Sequence, residues 1–221
     1  LTTIKIPSSV SKIGESSFYG CSRQTSVSIP TGVKELGWSS FAECTGLTSV
    51  SIPAGVTELN DSCFAGCSGL TSVSIPSSVS RLPSNCFKGC IRLTSVDIPS
   101  GMVELGDNCF AGCARLSSVN IPSTVTKIGW NCFSGCEKLR NVVVPGGVKE
   151  IGEGCFKECS NLSFISIPSS VTSFRDNSFS GCEKLSVITL PTSVSKLGVS
   201  CFKNCNNLDT LYFKGAMPIG I

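Results

Sequence analysis

What most constrains this chain is a pattern of 23 residues that returns along its whole length. Its cleanest copy, LTSVSIPAGVTELNDSCFAGCSG, occupies residues 47–69. The pattern restarts at Leu1, Gln24, Leu70, Leu93, Leu116, Leu139, Leu162 and Leu185 without insertion or deletion. Nine copies fill residues 1–207, and a partial tenth begins at Leu208. A fixed period of this size specifies a solenoid, because one small unit cannot bury its apolar face alone and stacks on its neighbours. With no linker between copies, residues 1–221 are expected to form one elongated domain, closed by a partial repeat and cap at 208–221.

Within a copy, the first seven positions follow L-x-x-V-x-I-P. Leu47, Val50 and Ile52 alternate with Ser49 and Ser51, the period-2 signature of a strand with one buried face. Proline at position 7, from Pro7 to Pro191, cannot donate to a ladder and stops the strand. Apolar residues at positions 10 and 13, such as Val56 and Leu59, predict a second short extended piece. Position 14 is usually glycine, as in Gly14, Gly37, Gly106 and Gly129, which predicts a corner with positive φ. Positions 17, 18 and 21 hold Cys or Ser, then Phe, then Cys. That spacing puts all three on one side of a single helical turn.

All 15 cysteines fall in repeat columns. Nine stand at position 21, from Cys21 to Cys205, and six at position 17, where other copies carry Ser17, Ser40 and Ser178. An odd total and free exchange with serine argue against a disulfide framework and for buried thiols acting as small hydrophobes. Unpaired thiols favour a reducing compartment such as the cytoplasm, or an anaerobic organism, with the cell surface as the alternative.

Taken together, L-x-x-V-x-I-P-x-x-V-x-x-I-G-x-x-x-F-x-x-C resembles the leucine-rich repeat, specifically its BspA-like subclass, found in bacterial and protozoan surface and intracellular proteins. The likeness covers essentially the whole chain. Two columns depart from it: Ser, Gly or Thr stands where the general pattern has Asn or Cys, and Cys or Ser stands at position 17 in place of the subclass's Ala. The cysteine column at position 21 looks like the replacement for the missing ladder residue. The resemblance implies an α/β solenoid of horseshoe shape, strand-dominated, with a parallel sheet on its concave face and short helical turns on its convex side. It also implies protein binding as the work of the fold, as an interaction scaffold or as a surface adhesin for host or matrix proteins. Some intracellular relatives regulate phosphatases.

The columns that face outward on the sheet are positions 3 and 5. Through six copies they are almost all small and polar, from Thr3 and Lys5 to Ser118 and Asn120. Later copies bring Val143, Phe164, Val187 and Tyr212 there, beside Asn141 and Arg140, which predicts an apolar, aromatic patch that binds a protein ligand. The alternative is that the divergent tail GAMPIGI folds back over the patch as a cap. Trp38 and Trp130 interrupt the acidic column at position 15, either as contact residues or lying flat on their neighbours. Arg23, Arg92, Arg115, Lys138 and Lys184 recur at position 23, where they form a solvated rim or steer an acidic ligand.

Other chemistry finds little support. Histidine is absent, which removes the usual general base and the commonest metal ligand, so no enzyme activity, cofactor or metal is expected. The cysteine pairs are predicted beside Phe in the core rather than in a zinc or redox site, so a thiol or metal-binding protein is the last alternative. Eighteen basic against 15 acidic residues give a net charge of +3, too little to point to nucleic acid. No long apolar run predicts a membrane span. Asn60-Asp61-Ser62 and Asn161-Leu162-Ser163 match the glycosylation sequon, a pattern common by chance. The chain opens without an initiator Met and on an ordinary repeat, which reads as a processed fragment. Leu1, Ile4, Ile6, Val10, Ile13 and Phe18 are therefore expected to form an apolar edge, covered by earlier repeats or by a second copy in a homodimer.

Overall fold

The computed structural model describes residues 3–214. The expected tail cap at 215–221 and Leu1 of the expected edge lie outside them. Each repeat forms one turn of a parallel β-solenoid of about nine turns. In the first column, Thr3–Lys5, Ser26–Ser28, Ser49–Ser51 and Ser72–Ser74 pair in chain order, in register such as Ile4 with Val27 and Val50 with Val73. Two single bridges, Ser74 with Asp97 and Asp97 with Asn120, carry the column through the next repeats. It resumes as Asn141–Val143 beside Phe164–Ser166, and as Val187–Leu190 beside Thr210–Phe213. A second column is built from two-residue strands at repeat positions 12 and 13, such as Lys12–Ile13, Glu35–Leu36 and Glu58–Leu59, again parallel.

The alternation places side chains as the sequence predicts: Leu47, Val50 and Ile52 are buried, and Ser49 and Ser51 are exposed. Proline ends the first strand and starts a reverse turn, its carbonyl accepting the N–H three residues on (Val56 N to Pro53 O, 3.0 Å).

The expected helical turns are not formed: no helix is present among the described residues. Position 16 has positive φ in every repeat (Ser16 51°, Asn108 53°, Ser200 58°), and so does position 20 (Gly66 70°, Glu158 60°, Asn204 59°). A left-handed residue cannot propagate a right-handed helix, so the chain is redirected twice within seven residues. The hydrogen bonds record the result. Ser62, Phe64 and Gly66 donate to Ser84, Cys86 and Lys88 of the next repeat at 2.9, 3.0 and 2.7 Å. The residues between them close local turns, Ala65 to Ser62 at 3.0 Å and Cys67 to Phe64 at 3.3 Å. Every other N–H thus ties one repeat to its neighbour, as in a strand ladder.

The glycines of position 14 also differ from expectation, because none of them has positive φ. Their role is close approach. A Cβ on Gly106 would lie 2.6 Å from the carbonyl carbon of Pro83, and one on Gly129 would lie 2.5 Å from the backbone N of Asp107. At these two corners only a hydrogen fits at this distance.

The core runs the length of the stack. Phe18, Phe41, Phe64, Phe87, Phe110, Phe133, Phe156, Phe179 and Phe202 form one column, with neighbouring ring centroids 5.1–5.7 Å apart and planes within 15°. Beside it lie the free thiols, buried except for the half-buried Cys21 and Cys205. Each position-21 thiol from Cys44 onward donates to the Phe carbonyl of the preceding repeat, as Cys67 does to Phe41 O at 3.1 Å and Cys136 to Phe110 O at 3.3 Å. The thiol therefore acts as the expected ladder residue. Serine fits position 17 because its hydroxyl finds partners there: Ser40 Oγ lies 3.3 Å from Cys63 Sγ.

Candidate protein-binding face

The first strand column presents positions 3 and 5 to solvent, and its later strands carry the apolar side chains singled out by the sequence. Val143 is 62% exposed, Phe164 54%, Val187 45% and Tyr212 57%. Register sets their arrangement. Asn141 pairs with Phe164 and Val143 with Ser166, while Val187 pairs with Thr210 and Thr189 with Tyr212. Phe164 and Val187 therefore share the position-3 column in the middle, and Val143 and Tyr212 stand on position 5 at either side. The patch is an arc, with the hydroxyls of Ser166 and Thr189 inside it.

Phe164 and Val187 line a shallow groove of about 380 Å³ with Ser166, Thr189, Pro191 and Lys214. Arg140 is exposed beside it, its carbonyl accepting the N–H of Ser163 at 3.0 Å and of Phe164 at 3.2 Å. Lys214 is the contribution that sequence columns alone miss: it replaces the strand-ending proline, and its N–H is held by Leu190 O at 3.0 Å.

Elsewhere the structure places the remaining candidates. Ile4, Ile6, Val10 and Phe18 are half-buried and Ile13 is buried; with Lys5 and Pro7 they line a hollow of about 250 Å³. Trp38 and Trp130 are both exposed. Trp38 Nε1 donates to Asn60 Oδ1 at 2.9 Å, and Trp130 leans over Gly152, where a Cβ would sit 3.0 Å from its Cδ1. Aspartates of that column cap the backbone of the next repeat, Asp107 Oδ1 accepting from Trp130 N at 2.8 Å and Asp176 Oδ1 from Val199 N at 2.9 Å. Both sequon asparagines are engaged, Asn60 with Leu36 O and Asn161 with Glu137 O.

Burial sets the state of the thiols. It pushes Cys44 up to about 11, and Cys63 and Cys201 up to about 12, while others such as Cys86 and Cys109 are raised well above the ordinary thiol value by burial and by neighbouring thiols. Near the end of the stack a hydrogen bond between Cys182 and Cys205 raises the first and lowers the second. The thiols raised by burial are protonated packing groups at neutral pH.

The profile of the BspA type leucine-rich repeat region matches residues 1–117 and 103–219. This chain belongs to that family. No curated protein matches it. Among solved structures, it is 26% identical to a leucine-rich repeat protein from Bacteroides ovatus, covering 96% of this chain and 77% of that one with a TM-score of 0.67. A T. pallidum leucine-rich repeat protein is 27% identical over 83% of this chain and 78% of its own, with a TM-score of 0.59. The pneumococcal vaccine antigen PcpA shares the fold at 19% identity, with 96% of this chain and 62% of that one covered and a TM-score of 0.65. Leucine-rich repeat scaffolds of this kind typically serve protein–protein interaction, and no helix among the described residues is long and apolar enough to cross a membrane.

Proposed function

We propose that this BspA-type chain is a non-enzymatic interaction scaffold that takes a protein ligand on its first strand column, over Val143, Phe164, Val187 and Tyr212, with Arg140 and Asn141 alongside. The supporting observation is the exposure of four large apolar side chains on a face whose other positions, apart from Lys5 and Asp97, are Ser, Thr and Asn. Apolar groups confined to one end of such a face gain by being covered, and Tyr is enriched among interface anchors.

The test compares the native chain with a Phe164→Glu, Tyr212→Glu variant as bait, in lysate and in extracellular matrix extract. Both side chains are more than half exposed, so the variant keeps its fold. Retention of a partner by the native chain alone is the expected result. Equal retention by both baits places the binding face elsewhere.

The proposal extends to a homodimer through the hollow around Ile4, Ile6, Val10 and Phe18, which are half-buried here while their counterparts Val50, Ile52, Val56 and Phe64 are buried. Sedimentation velocity should then show a concentration-dependent dimer that Ile6→Glu abolishes; a monomer at every concentration rejects it.

A further inference from the structure

We infer that the partner of this face is an acidic segment with apolar anchors: extended peptide whose leucine-like side chains enter the groove over Phe164 and Val187, and whose carboxylates meet the cations around it. The inference rests on the binding face proposed above and adds the chemistry of what it holds.

The charge is distributed unevenly around the first strand column. The strand face itself carries only Lys5 and Asp97 at positions 3 and 5. Along the edge that leads into the strands, at positions 22, 23 and 2, stand Arg23, Arg92, Arg115, Lys138, Arg140 and Lys184, against Glu137, Glu183 and Asp209. All six cations are exposed, and none forms an ion pair among the described residues. Among the described residues the second strand column pairs three of its four strand cations, Lys196 being the exception. There Lys12 meets Glu35 at 2.9 Å, Arg81 meets Glu104 at 2.5 Å, Lys127 meets the same Glu104 at 2.7 Å, and Arg175 meets Glu150 at 2.7 Å. Where the molecule pairs its own cations, it leaves no call for a partner's acids; along the strand-leading edge it leaves several.

Those unpaired cations and the apolar groove coincide in one place. Arg140 adjoins Phe164 through the backbone, Lys138 and Lys184 stand on the same edge, and Lys214 lines the far side of the groove. An apolar side chain in the groove would carry the flanking residues of its own chain past Arg140 on one side and Lys214 on the other. Carboxylates there gain from both, and a basic segment is repelled.

The test is fluorescence anisotropy with a dye-labelled synthetic peptide alternating Glu and Leu, set against peptides alternating Lys and Leu, Gln and Leu, and Glu and Ser. The Glu–Leu peptide should bind the native chain more tightly than the other three, and less tightly as salt rises. An Arg140→Glu, Lys214→Glu variant should bind it about tenfold more weakly, as two surface charge reversals imply. Phe164→Ser should weaken it by a similar factor. Equal binding of the Gln–Leu and Glu–Leu peptides, with Phe164→Ser still disruptive, overturns the acidic partner and leaves the binding face standing. Equal binding of the Glu–Ser peptide reduces the site to a polyanion rim and overturns the inference, as does binding of none of the four. Insensitivity to both variants overturns the face as well.

Discussion

Raising the pH above about 9 is expected to unfold the solenoid in one steep transition while leaving it intact at neutral pH, an effect larger than any single side-chain change could produce. The cause is the buried thiols. In the unfolded chain they ionise near 9.0, whereas in the folded chain burial holds Cys44 to about 11 and Cys63 and Cys201 to about 12, with Cys86 and Cys155 also raised well above 9.0. The folded state is thus the one that keeps its protons. Below pH 9 both states are protonated and stability is complete; as pH rises beyond it the unfolded chain alone releases protons, and stability falls until each folded value is passed. The loss is about 1.4 kcal/mol per thiol per pH unit. A handful of thiols acting together therefore removes a typical domain stability of roughly 5–15 kcal/mol within little more than one pH unit. The ion pairs are exposed at their cationic ends and count for little by comparison. Circular dichroism and thiolate absorbance followed together in reducing buffer will show it: the two signals should change at the same pH. Thiols that ionise while the dichroism persists would show that the interior is open to solvent. Replacing Cys63, Cys86 and Cys109 by serine, which position 17 already accommodates at Ser40, should make the transition less steep.

How far the fold could be read from the sequence depends on which physical constraint each column obeys. Strand alternation and strand-ending proline act through one residue at a time, so Val50, Ile52 and Pro53 announced themselves. The turn region was harder. Cys63, Phe64 and Cys67 lie together on the inner side whether the backbone is a helical turn or a chain of tight turns, so their spacing does not distinguish the two. The distinguishing signal stood in other columns: Ser, Asn or Gly at position 16 and mostly Gly at position 20, residue types found in the left-handed conformation there. Glycine at position 14 misled for a related reason. The same residue answers a demand for positive φ and a demand for close approach, and only the neighbouring repeat, with Pro83 backbone against Gly106, tells them apart.

The candidate face was legible in part. Because every outward position of the first strand column is fixed by the period, Val143, Phe164, Val187 and Tyr212 could be placed on one surface from spacing alone. Their exposure agrees with that placement. The arc they form depends on register, and the groove depends on Lys214, which stands in a divergent copy where the pattern no longer predicts direction. The unpaired state of the basic rim was likewise beyond the sequence. Arg92 and Arg81 are equally basic letters, yet only Arg81 finds a glutamate, because Glu104 stands directly across from it in the second strand column.

The column of rings at the centre of the stack makes the second large effect. Phe110 is fully buried, stacks on Phe87 at 5.7 Å and on Phe133 at 5.6 Å, and its carbonyl receives the Cys136 thiol at 3.3 Å. Phe110→Ala is expected to cost about 3–5 kcal/mol, the usual range for removing a ring from a packed interior. The consequence reaches beyond the energy. In a one-dimensional stack each repeat is held only by its two neighbours, so a cavity in the fifth repeat weakens both interfaces there and lets the flanking halves unfold separately. Urea denaturation of the native chain should give one transition, and that of Phe110→Ala should give two, or one with a clearly lower slope. Phe202→Ala is the matched comparison: it is half-buried, stacks only on Phe179 at 5.6 Å and meets Phe174 edge-on at 6.4 Å, so the expected loss is about 1–2 kcal/mol without a split transition. If the two variants lost equal stability with unchanged slopes, the rings would be independent packing groups, and the cooperativity would reside in the turn hydrogen bonds that join every repeat to the next.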